Sequence, residues 1–294
     1  NRLSRGGTAE FCIAPPWEIP HFKSMDERLK RLIRAVVPAR WLEPIIRRHF
    51  RICWTGDYPN WAAANRRARG YADAAILARV VEATRQVRDG TAAYERDGLI
   101  FTEPTVSRDL VAALRTATPA DGRLSVLDFG GALGSIYWQL RSWLDALPDV
   151  RWLVVEQPHF VAAGRREFTS KRLLFYDSVD ACLAQERPGV LLLGGVLPYL
   201  PEPHAQLANL AGRGFDHVLI DRTGIVDRAA DRLTVQHLPR RVYRASYPCW
   251  FFNRARLLEH FRPAYDLLCE YRNEDGAGSG FVFQGYHLRR RGVT

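Results

Sequence analysis

The sequence predicts an α/β protein built on a doubly wound, largely parallel sheet. Three observations carry that prediction. From residue 124 onward, short apolar runs alternate with helix-patterned stretches. The first run ends in a glycine-rich turn, and acidic residues close the first three runs in succession.

The runs are LSVLDF (124–129), RWLVVE (151–156), RLLFY (172–176), GVLLLGG (189–195) and FDHVLID (215–221). Continuous apolar runs of this length, bounded by turn residues, suit strands buried on both faces. Between them, 134–147, 160–168, 179–186 and 203–212 are helix-like, which makes the units βαβ and the strands parallel. Right-handed crossovers then set every strand C-terminus along one edge, where ligands bind. The chain ends differently. YDLLCEYR (265–272) and GFVFQGYHLRR (280–290), separated by NEDGAGS, predict an antiparallel finish on the parallel sheet.

Upstream of residue 120 the pattern is mainly helical. Residues 1–24 carry breakers and no periodicity, and Met25, the only methionine, opens MDERLKRLIRAVV. This marks 1–24 as a disordered or non-native leader. From Met25 to about Phe50 the chain is basic and amphipathic, interrupted by Pro38 and Pro44. Such a stretch fits a membrane-surface helix, giving a peripheral membrane contact, or a helix packed on the core with its arginines in water. The turn-rich WTGDYPNW (54–61) follows, with helices expected at 61–68, within 71–90, and over Arg108–Ala117 before Pro119.

Composition excludes several classes. The chain has 294 residues, 47% hydrophobic, which is enough for a large core and excludes disorder. No apolar run approaches the roughly 20 residues of a spanning helix. The five cysteines (Cys12, Cys53, Cys182, Cys249, Cys269) include no C-x-x-C pair, so they read as unpaired thiols in a reducing cytoplasm. The net charge of +10 suggests nucleic acid, but the arginines are spread along the chain rather than gathered into a stripe. Nucleic acid is therefore not the expected partner. No H-E-x-x-H, clustered metal ligands or G-x-S-x-G elbow is present, so no metal is expected.

The chemistry concentrates at Asp128-Phe129-Gly130-Gly131-Ala132-Leu133-Gly134. Glycines where a strand opens into a helix let a ligand approach the backbone and its N–H groups. The acid ahead of them would repel a pyrophosphate and suits a ligand with a cationic amino group, as in S-adenosylmethionine (SAM). Glu156, 28 residues beyond Asp128, ends the second run, where an acid can accept two ribose hydroxyls. Gln157 follows it. Asp177, with Ser178 after it, ends the third run, where a carboxylate can accept an adenine amino group.

These segments resemble the class I SAM-dependent methyltransferases. More closely, the chain resembles a bacterial methyltransferase family often associated with surface-polysaccharide or O-antigen gene sets. The matching stretches are WTGDYPNW, AAYERDGLIF (92–101), LDFGGALGS, VVEQPHFVAAGR (154–165), LLLGGVLPYLPEP (191–203), LIDRT (219–223) and DRLTVQHLPRRVYRASYPCWFFNR (231–254). Gly194, Gly195 and Pro198 depart from the serine and polar residues usual in the fourth-strand motif. The resemblance implies a seven-stranded SAM-methyltransferase-like sheet at 121–294, a helical N-terminal cap at 25–120, and SAM as cofactor with S-adenosylhomocysteine (SAH) as product. It implies methyl transfer to oxygen or nitrogen of a small-molecule or sugar acceptor.

The acceptor side is expected in 222–262, a long connection rich in aromatic and polar groups, which reads as a cover over the active edge. Within it His237 is the candidate base, with Asp221 beside it in role, because its pKa lies near neutrality. Arg222, Tyr199, Tyr243, Tyr247 and Trp250 are the candidate acceptor-binding residues. Two other readings stay open: an NAD-using Rossmann protein, against which Asp128 stands, and a nucleic-acid methyltransferase, which lacks an N-P-P-Y-type motif here.

Overall fold

The computed structural model describes residues 11–13, 52–68, 73–96, 98–103, 107–238, 245–278 and 280–293. The amphipathic stretch 25–50 and Tyr243 lie outside the described residues. In chain order the strands are β1 (Phe11–Ile13), β2 (Ile52–Thr55), β3 (Tyr94–Arg96), β4 (Leu99–Phe101), β5 (Arg123–Phe129), β6 (Asp149–Val155), β7 (Leu173–Tyr176), β8 (Val190–Gly194), β9 (His217–Val226), β10 (Arg232–His237), β11 (Ser246–Asn253), β12 (Tyr265–Gly278) and β13 (Phe281–Arg290). The helices are α1 (Trp61–Asn65), α2 (Asp73–Arg88), α3 (Arg108–Ala117), α4 (Ser135–Gln139), α5 (Arg141–Leu144), α6 (Pro158–Glu167), α7 (Val179–Leu183), α8 (Pro203–Ala211) and α9 (Arg254–Glu259). A 3-10 turn covers Leu197–Tyr199.

The chain divides into two compact units, one of 72–223, 255–273 and 284–294, the other of 1–71, 224–254 and 274–283. The first holds the sheet expected from the sequence. Its strands run in the order β12-β13-β9-β8-β5-β6-β7, seven in all. Pairings β5–β6, β6–β7, β5–β8 and β8–β9 are parallel. The Arg290 N–H donates to the Asp216 carbonyl at 2.8 Å, so β13 ends where β9 begins and runs against it. The five parallel strands bury nearly every side chain because helices cover both faces: Val126, Leu127, Trp152, Leu153, Leu191, Leu192, Leu219 and Ile220 are fully buried. Strand order reverses between β5 and β8, which opens a crevice at their C-terminal ends.

Helix α3 spans the residues expected and shows why. Ser107 caps it by accepting the Leu110 N–H, and Leu110, Ala113, Leu114 and Ala117 fall on one buried face. The predicted helix at 134–147 is instead two short pieces, α4 and α5, meeting at Leu140. The stretch before residue 120 also holds strand pairs that the sequence reading passed over. β3 and β4 form an antiparallel hairpin on which Tyr94 stacks against Phe101 at 4.4 Å. With α2 and α3, this hairpin groups with the sheet unit rather than with a separate N-terminal cap.

In the second unit β1, β2, β10 and β11 pair antiparallel in that order, and the tip of β9 at Ile225–Val226 pairs parallel with β11. The segment read as a cover loop therefore contains two strands. Trp54 is buried edge-on against Phe251 and Phe281, each at 5.5 Å between ring centroids. Cys53 corrects the reading of unpaired thiols. It is disulfide-bonded, and Cys12 is its direct partner in the β1–β2 register. Two cysteines far apart in sequence meet through strand pairing, which spacing alone does not reveal. Cys182, Cys249 and Cys269 are free. Among the described residues, no helix is long and apolar enough to cross a membrane.

Candidate cofactor site at the switch point

β5 delivers Asp128 and Phe129 to the crevice, and the chain then turns through Gly130–Gly134 into α4. Gly130 and Gly134 take left-handed φ of +74° and +84°, where glycine alone is unstrained. Ala132 adopts φ +51° without that freedom, a small local strain of the kind found at ligand sites. Packing is close under the turn. A Cβ on Gly131 would lie 2.5 Å from the Asp128 carboxylate, and one on Gly130 would lie 2.3 Å from Val196 after β8. The turn is thus pressed between its own strand and the end of β8.

Asp128 differs from the sequence expectation. Its carboxylate does not open into the crevice but is buried, and the Trp152 indole N–H on β6 donates to it at 2.9 Å. Burial raises its pKa to about 7, with the Trp152 hydrogen bond and the Arg222 charge opposing and the Glu156 charge assisting. Its role is to brace the turn from below. An acid whose folded pKa exceeds its unfolded value binds its proton more tightly when folded, so this group makes folding stability fall as pH rises from about 4 to 7. Asp128→Asn, which keeps an oxygen for Trp152 and cannot ionise, should match the wild type near pH 4 and exceed its stability by about 4 kcal/mol at pH 8. Denaturant titrations across that range check it; a difference independent of pH would contradict the buried titration.

Glu156 lies just past β6. It is part-buried, and its two oxygens accept the Gln157 N–H at 2.8 Å and the Ala132 N–H at 3.3 Å. Burial raises its pKa against those two bonds. The carboxylate so lies against the glycine turn. Gln157 is exposed and stands at the N-cap position of the Pro158-led helix α6, without a side-chain capping bond. Asp177 is exposed and paired with Arg165 at 2.9 Å, while Ser178 caps α7 by accepting the Ala181 N–H. Both therefore have structural occupations at the end of β7.

One contributor escaped the sequence reading. Glu95 on β3 is buried, accepts the Ser135 hydroxyl at the start of α4, and accepts the Gly98 N–H at 3.1 Å. It ties the β3–β4 hairpin to the helix that leaves the turn. The signal was its place in AAYERDGLIF; a lone acid between tyrosine and arginine gives no other sign of burial.

At the ends of β8 and β9 lie the other candidates of this unit. Asp221 is buried and accepts from the Tyr271 hydroxyl at 3.0 Å and from the Asn273 amide at 2.7 Å. Burial and the Asp221 charge push the Tyr271 pKa up. Arg222 stands beside it with φ +51°, and Tyr199 is exposed on the 3-10 turn. His237, Tyr247 and Trp250 belong to the second unit. His237 ends β10, where its Nε2 and the Thr55 hydroxyl are 2.9 Å apart. Tyr247 faces Gln236 across the β10–β11 register, and Trp250 packs beside Ala64, Leu233 and Val235. Among the described residues, no group of three or more His, Cys, Asp or Glu side chains could hold a metal ion.

The donor set fits a nucleoside with a cationic amino-acid tail. Glu156 could offer carboxylate oxygens to hydroxyls beside the part-buried glycine turn, and a second acid lies beneath that turn, an unfavourable place for a pyrophosphate. No protein-family model and no curated protein matches the chain. The chain is similar to the N-terminal domain of EvdMO1, solved in the presence of SAH and D-fucose, at 20% identity and a TM-score of 0.45 over 76% of this chain and 100% of that one. It is similar to Burkholderia thailandensis 1,6-didemethyltoxoflavin-N1-methyltransferase with SAH bound, at 16% identity and a TM-score of 0.44 over 81% and 95% of the two chains. It is also similar to CalS10, an amino pentose methyltransferase from Micromonospora echinaspora, at 14% identity and a TM-score of 0.39 over 60% and 88%. The fold assignment itself rests on the strand order and the switch point between β5 and β8.

Proposed function

We propose that the protein is a SAM-dependent methyltransferase acting on oxygen or nitrogen of a small-molecule or sugar acceptor. The observation that carries this reading is the glycine turn after β5 with the Glu156 carboxylate set against its Ala132 N–H. Gly130, Gly131 and Gly134 would admit the cofactor's tail to the turn, and Glu156 with Gln157 would hold its ribose. Asp128 would brace the turn, and Asp177 with Ser178 would border the adenine. When bound, SAM supplies a methyl group activated on a sulfonium.

The chain's own contribution is to hold the acceptor in line and exclude water, which can supply most of the acceleration. We assign the proton to His237, whose ring is oriented by Thr55, and acceptor contacts to Arg222, Tyr199, Tyr243, Tyr247 and Trp250. Asp221, buried under Tyr271 and Asn273, serves by positioning. The disulfide at Cys53 stands against the expected reducing cytoplasm. Alkylation of Cys53 in freshly lysed cells without reductant would contradict its disulfide, and protection of Cys53 would argue against a reducing compartment.

Calorimetry tests the cofactor. SAH should bind and NAD should not. Glu156→Ala should weaken SAH by about 1–3 kcal/mol, the size of hydrogen bonds to a charged group. Undiminished affinity in that variant would remove the assignment.

A further inference from the structure

Arg222 occupies a backbone position that no arginine adopts freely. Its φ of +51° is left-handed, which strains a residue with a Cβ. The surroundings fix it there. Its N–H donates to the Asn273 side-chain oxygen at 3.2 Å, and the Asn273 amide in turn donates to buried Asp221 at 2.7 Å. The Tyr271 hydroxyl donates to that same Asp221 oxygen at 3.0 Å. The guanidinium lies across the ends of two strands, with Nη2 donating to the Gly194 carbonyl at 3.0 Å and Nε 3.9 Å from Asp221 Oδ2.

Glycine makes room for it. A Cβ on Gly195 would sit 3.2 Å from the Arg222 Nη2, and the next residue, Val196, lies against Gly130 of the cofactor turn. The guanidinium therefore shares the switch-point edge, and its charge reaches Asp128 beneath the turn. This is a costly place for a cation if the cofactor is itself a sulfonium. The Asp221 carboxylate lies 3.9 Å away and accepts two other hydrogen bonds. Strain maintained at a ligand edge by a dedicated network points to a ligand group, and a planar guanidinium fork selects oxyanions.

We propose that the acceptor carries an oxyanion, a carboxylate or a phosphate, which Arg222 pairs with at the ends of β8 and β9. The inference rests on the methyltransferase reading and names its substrate class. The Asp221–Tyr271–Asn273 network sets the guanidinium in advance, so little of its rotamer entropy is lost on binding.

The test uses the full chain saturated with SAH, titrated with D-glucuronate, D-glucose 6-phosphate and neutral D-glucose at constant ionic strength. The wild type should bind at least one of the anions tenfold or more tightly than glucose. The informative variant is Arg222→Gly, which relieves the left-handed backbone, keeps the N–H for Asn273 and removes the guanidinium; it should bind all three sugars alike, with SAH affinity within twofold of wild type. Arg222→Lys, which keeps the charge and loses the fork, should fall between. Equal anion preference in Arg222→Gly overturns the proposal, as does a wild type without preference. So does a large loss of SAH affinity in Arg222→Gly, which would assign the guanidinium to the cofactor's own carboxylate. A wild type that binds no SAH fails at the earlier step and removes the methyltransferase reading instead.

Discussion

Gly131→Ala should lower SAH affinity at least a hundredfold, about 2.7 kcal/mol, and destabilise the fold by about 1–3 kcal/mol. The cause is not backbone freedom, because Gly131 is not among the residues with positive φ. The cause is space. The added methyl would lie 2.5 Å from both the Asp128 carboxylate carbon and its Oδ2. Asp128 cannot swing aside cheaply, since Trp152 holds the same Oδ2 at 2.9 Å in a fully buried setting. The turn must lift, and the backbone that would receive the ligand lifts with it. Titration calorimetry and thermal melting read both parts. Asp128→Ala supplies the control, because in its background the obstacle is gone and Gly131→Ala should cost far less than in the wild type. Equal costs in the two backgrounds would show that the clash is not the mechanism.

His237→Ala should leave SAH affinity nearly unchanged while turnover falls about a hundredfold or more, the usual size of a general-base contribution. The imidazole contacts the Thr55 hydroxyl at the end of β10, so its removal deletes that hydrogen bond. Thr55→Val separates orientation from chemistry, since it retains the imidazole and loses the partner. Its turnover should drop by a smaller factor, with the pH profile displaced. Wild-type turnover in His237→Ala would leave alignment alone to carry catalysis. Loss of SAH binding in that variant would make His237 a structural residue.

What the sequence disclosed depended on whether the deciding contact was local. LSVLDF at 124–129 and the strand observed at Arg123–Phe129 nearly coincide, because an apolar run ending in glycines marks a buried strand by itself. The same holds for α3, whose cap and buried stripe lie within its own ten residues. The segment 222–262 was harder. RLTVQH is buried at five of six positions, so it shows none of the alternation of a half-exposed strand, and one of its neighbours, β2, comes from a distant part of the chain. The position of Glu156 just past β6 was legible, because the residue that closes an apolar run falls at the strand end. The burial of Asp128 was not, because it depends on Trp152 one strand away. Asp221 is covered by Tyr271 and Asn273, fifty or more residues later, so no local pattern could show that it braces Arg222.

The strand order carries a consequence for synthesis. Among the described residues of the sheet unit, β12 joins its neighbours through β13, which lies between it and β9 although it is made after both. A chain growing from its N-terminus has every parallel strand available well before residue 281, yet β12 must wait unpaired for the strand that bridges it. During that interval a long strand with Leu267 and Leu268 outward-facing has an open edge, the arrangement most prone to pairing with another chain. Chains ending before Phe281 would remain permanently in that state. Truncation before Phe281 should therefore lead to aggregation rather than to a shortened but soluble protein.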